Sequence, residues 1–237
     1  MQPLTIIPVH GVPEVRPDDA LAPLIADAAA AQDTPLLDHD CLVVTQKIVS
    51  KAENRLVQVD PDDRDARRTI VEGESVRILR RRGDLIISET RHGFVCANAG
   101  VDLSNVEAGW AALLPVDSDR SARRIRDGLR ALLGVELGVI VSDTFGRPWR
   151  KGLTDVAIGS AGIAALVDLR GSEDALGRVM QVTEVAAADE IASAAELVMG
   201  KSSGIPVAVV RGIDPTWLRE SSVAAELIRP PAEDLFR

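Results

Sequence analysis

Several short stretches of this chain are apolar almost without a break, and that constrains its fold more than any other feature. Cys41–Thr45, Leu137–Ser142 and Ile205–Val210 are the clearest. A strand solvated on one face alternates apolar and polar residues, whereas an unbroken run marks a strand covered on both faces. Leu4–Val9, Asp84–Ser88, Gly93–Ala97 and Val179–Val185 also read as strands. Between them the spacing predicts helices over Asp18–Ala31, Asp62–Arg82, Asp119–Leu133 and Ala187–Met199. In the third, Ser118 stands as N-cap, Ile125, Leu129, Leu132 and Leu133 form an apolar stripe, and Gly134 ends the helix. In the fourth, Ile191, Ala194, Leu197 and Val198 share one side, with Gly200 at the end. Strands and helices interleaved in this way make a mixed α/β or α+β protein. The Arg80–Arg82 and Arg123–Arg126 patches are expected on solvated helix faces.

A chain of 237 residues can bury one large core or two small ones. At 46 % hydrophobic and 27 % charged it is too apolar to stay disordered. No apolar run approaches the roughly 20 residues that span a bilayer, and Met1–Thr5 lacks the basic and apolar regions of a signal peptide. Cys41 and Cys96 lie in strand-like text and read as buried free thiols, so a reducing, cytoplasmic setting is expected. A net charge of −9 argues against nucleic acid as partner, because backbone binding rewards dense positive charge. Near the end, the Leu235–Phe236 pair either docks on the body or leads into further sequence.

Four segments carry residues suited to chemistry. Val43–Glu53 is a buried strand leaving into a polar turn with Lys47 and Lys51; it is either a solvated helix start or a place where Lys51 meets phosphate. Cys96–Val106 sets Asp102, Asn98 and Asn105 among small residues, as a hard-metal ligand loop or a simple Asx turn would. Val139–Gly152 is the strongest. An apolar strand ends in Asp143-Thr144 and then delivers Gly146, Arg147, Arg150 and Lys151. Asp and Thr suit Mg2+ or Mn2+, and the cations suit phosphate or carboxylate oxygens. Ala157–Ile163 is rich in Gly and Ala, which favours close packing, and Gly200–Gly204 could cradle phosphate with Lys201 although it is not a Walker A loop. His10, His39 and His92 lack zinc spacing, and neither a G-x-S-x-G elbow nor a G-x-G-x-x-G turn is present.

In this order the segments resemble the coenzyme F420-0:L-glutamate ligase family, coenzyme F420 being a deazaflavin. The resemblance rests on Gly11–Glu14, Thr45–Glu53, Asn98–Asn105, Ser142–Gly152, Ala157–Gly162, Asp189–Ile191 and Pro206–Gly212, and so covers nearly the whole chain. It implies an α+β fold, an intertwined homodimer and a single ligase domain over residues 1–237, stand-alone or the N-terminal part of a two-domain form. It also implies GTP-dependent γ-glutamyl ligation: F420-0 carboxylate takes the γ-phosphoryl group, and L-glutamate then displaces phosphate.

Carried over residue by residue, the resemblance implies that Asp102 and Asp143 hold one Mg2+ or Mn2+ and that Thr144 helps hold a second. A monovalent cation such as K+ is a further candidate. Val12, Pro13, Glu14, Val15, Gln46, Lys47, Lys51 and Asn105 would contact nucleotide. So would the loop of Met199, Gly200, Lys201, Ser202, Ser203, Gly204 and Ile205. Arg147 and Arg150 would hold carboxylate or phosphate beside the catalytic Asp143. One departure stands out: relatives place an acidic metal ligand in the last loop, where this shorter loop has Lys201. Another acid–amino acid ligase, or a non-catalytic binding domain, would keep some of these features.

Overall fold

The structure, a computed structural model, describes residues 3–60 and 62–236. Its elements run β1 (Thr5–Pro8), α1 (Leu21–Ala31), β2 (Cys41–Thr45), α2 (Gln46–Ala52), β3 (Leu56–Gln58), α3 (Arg64–Gly73), β4 (Ser75–Arg82), β5 (Leu85–Thr90) and β6 (Val95–Ala97). They continue with β7 (Trp110–Ala112), α4 (Ser118–Leu133), β8 (Gly138–Gly146), β9 (Leu153–Ala161), β10 (Val167–Asp168), β11 (Glu184–Val185), α5 (Ala187–Met199), β12 (Val207–Arg211) and α6 (Val223–Glu226). The fold is α+β, as expected.

The apolar runs become the centre of a five-stranded sheet in the order β1-β12-β2-β8-β9. Only β2 and β8 are parallel; the other neighbours are antiparallel. Cys41 to Val44 and Val139 to Val141 are fully buried at every position, so both faces are covered. Helices α4 and α5 pack on this sheet, and α1 packs on α4. Each Leu or Ile so buried stabilises the fold by about 1.5–3 kcal/mol relative to exposure. A second, smaller core gathers Val59, Val71, Ile86, Ala99, Val101, Ala111 and Leu113 around β3, β7 and the sheet β4-β5-β6.

Several sequence expectations are corrected. The helix expected over Asp62–Arg82 is α3 followed at once by β4. Asp63 caps α3 through the Ala66 N–H, the chain breaks at Gly73-Glu74, and Arg80–Arg82 then lie exposed on a strand paired with β5. Val179–Val185 is a strand only at Glu184–Val185; Val179 and Val182 are exposed, with no core to draw them in. The cap of α4 is Asp117, which accepts the Arg120 N–H, and Leu132 and Leu133 are exposed in the last turn. Leu197 of α5 is likewise exposed. Arg126 is buried rather than solvated, its guanidinium bonded to Glu220 at 2.6 Å and to Asp127. Of the readings of the segment after β2, the helix start holds, as α2, but the helix is not simply solvated: it buries Gln46, Ile48, Val49 and Ser50.

The small residues of Ala157–Ile163 serve packing, as expected. A Cβ on Gly159 would come within 2.3 Å of the Ser118 carbonyl group, so only glycine lets α4 start this close to β9. Cys41 and Cys96 are free and buried. No helix among the described residues is long and apolar enough to cross a membrane. Leu235 and Phe236 stay exposed, though the Phe236 ring lies 6.1 Å from that of Trp149; Arg237 lies outside the described residues.

Candidate active site

The carboxyl end of β2 and the outer half of β8 lie side by side, with Thr45 paired to Ser142. That register delivers the start of α2 and the Asp143-Thr144 pair to one cleft of about 380 Å3. Strand β9 returns antiparallel with Asp155 opposite Thr144. The β8–β9 ladder slips by one residue between Val141 and Ser142, a kind of irregularity common beside active sites because it re-aims side chains.

Asp102 reaches the cleft from the other core. Asn98, Ala99 and Gly100 all have positive φ, and this left-handed turn redirects the chain after β6. A Cβ on Gly100 would lie 2.7 Å from Leu114, so the turn needs glycine at its third position. Asp102 both makes an Asx turn and lines the cleft: Oδ1 accepts the Ser104 N–H at 2.7 Å, while Oδ2 meets Lys47 Nζ at 2.8 Å. Burial disfavours its charge, but Lys47 and Ser104 more than offset that, and its pKa falls below the usual aspartate value.

Asp143 behaves in the opposite way. Burial pushes its pKa up to about 7; the Thr144 N–H opposes this, the Asp102 and Asp155 carboxylates add to it, and Lys47 opposes weakly. Asp155 is buried. Its Oδ1 accepts the Thr144 hydroxyl at 2.7 Å and Lys201 Nζ at 2.6 Å. Lys201 also meets Glu196 at 2.9 Å and the Thr144 oxygen at 2.5 Å. Lys51 pairs with Glu14 at 2.5 Å. The Cys96 thiol is pushed up to about 12, by burial first and then by Asp143, so it is no nucleophile.

Most expected residues meet here. Val12, Pro13, Glu14, Val15, Gln46, Lys47, Lys51, Asp102, Asn105, Asp143, Thr144, Gly200, Lys201, Gly204 and Ile205 all line the cleft. Gln46 turns its amide inward, donating to Ser50 Oγ at 2.8 Å and to the Leu113 carbonyl at 3.2 Å. Met199 is buried behind the lining, and Ser203 folds back onto the Met199 carbonyl; neither they nor Ser202 line it. Arg147 and Arg150 are exposed on the β8–β9 turn outside the cleft lining, with Arg147 bonded to the Lys151 carbonyl at 2.5 Å. Sequence reasoning missed Asp155 and Glu196. The signal for Asp155 was a charged residue inside otherwise apolar strand text, one turn containing Gly146, Pro148 and Gly152 after Asp143.

The possible metal donors are hard oxygens, carboxylates and a hydroxyl, and two of the acids are already balanced by Lys47 and Lys201. Among the described residues no three His, Cys, Asp or Glu side chains gather into a complete metal cage. Asp102 and Asp143 fit a divalent ion that shares its coordination with substrate phosphates, as Mg2+ commonly does. A cation there would relieve the carboxylate repulsion that raises the Asp143 pKa.

The family profile described as F420-0:Gamma-glutamyl ligase matches residues 11–212. The chain belongs to that family. "Coenzyme F420:L-glutamate ligase" from Methanothermobacter thermautotrophicus is 44 % identical, with 99 % of each chain covered. The protein of the same name from Methanopyrus kandleri is 43 % identical over 99 % of this chain and 98 % of its own. That from Methanocaldococcus jannaschii is 41 % identical over 86 % of each. Membership makes the chain an acid–amino acid ligase, and the F420-0:gamma-glutamyl ligase match spans every cleft-lining segment from Val12 to Pro206.

Proposed function

We propose that the protein joins L-glutamate to coenzyme F420-0 through γ-linked amide bonds in coenzyme F420 biosynthesis, using GTP and Mg2+ or Mn2+. The observation that carries this reading is the cleft in which Lys47, Lys51 and Lys201 stand among Asp102, Asp143 and Asp155, inside a family match over residues 11–212. A carboxylate oxygen of F420-0 attacks the γ-phosphorus of GTP, GDP leaves, and an acyl phosphate forms. The glutamate amine attacks its carbonyl carbon, phosphate leaves, and the amine gives up a proton. Phosphoryl transfer asks a protein mainly to position reactants and offset charge.

In this scheme Lys47 and Lys51, on one face of α2, steady the nucleotide phosphates, with Val12–Val15 and Asn105 around them. Asp102 and Asp143 would hold the divalent ion, which supplies charge neutralisation on the phosphoryl oxygens. A monovalent ion such as K+ is an additional candidate. Arg147 and Arg150, on the outer turn, serve the acceptor carboxylates if that turn folds inward when substrate binds. The protein works as a homodimer; the exposed Trp149, Leu153 and Phe236 support this, because such side chains favour burial.

The test supplies F420-0, GTP and Mn2+ with hydroxylamine in place of glutamate. An acyl phosphate yields the F420-0 hydroxamate together with GDP. Hydroxamate absent under conditions where glutamate is ligated would refute the acyl-phosphate route. GTP untouched by folded protein with F420-0 and glutamate present would refute the functional reading.

A further inference from the structure

The Lys201 ammonium has three N–H donors and no more. All three are committed: to Asp155 Oδ1 at 2.6 Å, Thr144 Oγ1 at 2.5 Å and Glu196 Oε1 at 2.9 Å. None is left to reach a phosphate, although the stem comes from a loop and is half exposed. The Thr144 hydroxyl is equally committed, donating to Asp155 and accepting from Lys201. Two carboxylates and a hydroxyl around one positive centre are the surroundings a hard cation takes. The Asp155 side chain is only 4 % exposed, so its charge needs a partner that stays in place.

We infer that Lys201 is a built-in replacement for a metal ion: its ammonium fills the cation position formed by Thr144, Asp155 and Glu196, so the cleft takes one divalent ion and not two. This rests on the proposed metal reading of Asp102 and Asp143 and deepens it. Lys201 then acts as a positioning residue. It fixes the Thr144 hydroxyl and Asp155 beside Asp143 and keeps the net charge of that corner constant at any metal concentration.

The test counts Mn2+ by electron paramagnetic resonance in the presence of GDP, on proteins shown by circular dichroism to be folded. Wild type should bind one Mn2+ per chain. Lys201→Met, or Lys201→Gln if the first does not fold, empties the cage of its cation and should bind two. Adding Asp155→Asn to either should return the count to one. Two ions in wild type would overturn the inference without recourse to any variant, as would a count of one in the folded Lys201 variants. No Mn2+ in wild type that still ligates glutamate would overturn it together with the metal role of Asp102 and Asp143. No Mn2+ and no ligation would remove the functional reading beneath both.

Discussion

Two corners of the cleft each pair an aspartate with a lysine, and they are built differently. Asp102 is 35 % exposed and meets Lys47, which is anchored on the regular helix α2. Asp155 is 4 % exposed and meets Lys201, which comes from a loop and is 53 % exposed. In the first corner the acid faces the cleft and the base is fixed; in the second the acid is sunk in the sheet and the base closes over it. Asp143 lies between them, repelled by both acids, with the Thr144 backbone N–H as a hydrogen-bond donor. The difference assigns roles. On the proposed reading the outer acid exchanges its lysine for a ligand, the inner acid belongs to the framework, and the central one is short of positive charge.

Removing the central carboxylate should have the largest effect. Asp143→Ala should lower ligation by about 100-fold or more, because metal and charge stabilisation contribute several kcal/mol to such a step. Steady-state kinetics would show it, and thermal unfolding should show little loss. A near-normal rate would break the comparison at its centre.

The inner corner should answer in stability. Asp155→Asn removes the charge that Lys201, Thr144 and Ser142 are arranged around. It should cost about 1–3 kcal/mol, the usual cost of spoiling buried hydrogen bonds. The open flank of Lys201 holds the figure at that level. Asp102→Asn, on the outer side, should cost under about 1 kcal/mol, since part-exposed pairs contribute little. Chemical denaturation of the two variants side by side would reveal equal losses if the corners were in fact alike.

Lys47→Met probes the outer corner from its basic side. Nucleotide affinity should fall by about 10-fold, or about 1.4 kcal/mol, as measured by calorimetry. An unchanged affinity would confine Lys47 to holding Asp102.

The smallest effect is one of pH, and the two acids should show it with opposite signs in metal-free protein. The folded pKa of Asp143 is raised from 3.8 to about 7. Its contribution is therefore full below about 4 and is lost as pH rises towards 7. The folded pKa of Asp102 is lowered, so its contribution is present above 3.8 and is lost as pH falls below that. Relative to Asp143→Asn, wild type should lose stability between pH 4 and 7. Relative to Asp102→Asn, it should lose stability only on acidification.

The same contrast explains how much of the molecule its sequence discloses. Cys41–Thr45 is a strand with the expected bounds because burial on both faces leaves an unmistakable apolar run. Asp143-Thr144 stands out because a charged residue closes such a run. β4 does not stand out: it lies in the smaller lobe, mostly exposed, and its Arg80–Arg82 text suits a solvated helix as well as a strand. Asp155 is hidden for another reason. Its place beside Thr144 is a matter of β8–β9 register, and the distance between paired residues is not written in either strand alone. Arg147 and Arg150 are close to Asp143 along the chain, but the β8–β9 turn holds both exposed and outside the cleft lining, a placement that the sequence alone does not disclose. Lys201 was legible as a residue, but its three partners come from two strands and a helix that only the fold brings together.

The central claim is met most directly by mixing folded protein with F420-0, L-glutamate, GTP and Mn2+ and weighing the deazaflavin product by mass spectrometry. Products heavier by whole glutamyl residues, one GDP formed per residue added, and loss of both in Asp143→Ala are the predicted result. F420-0 unchanged in mass while the same protein consumes GTP to join glutamate to another acid would contradict it.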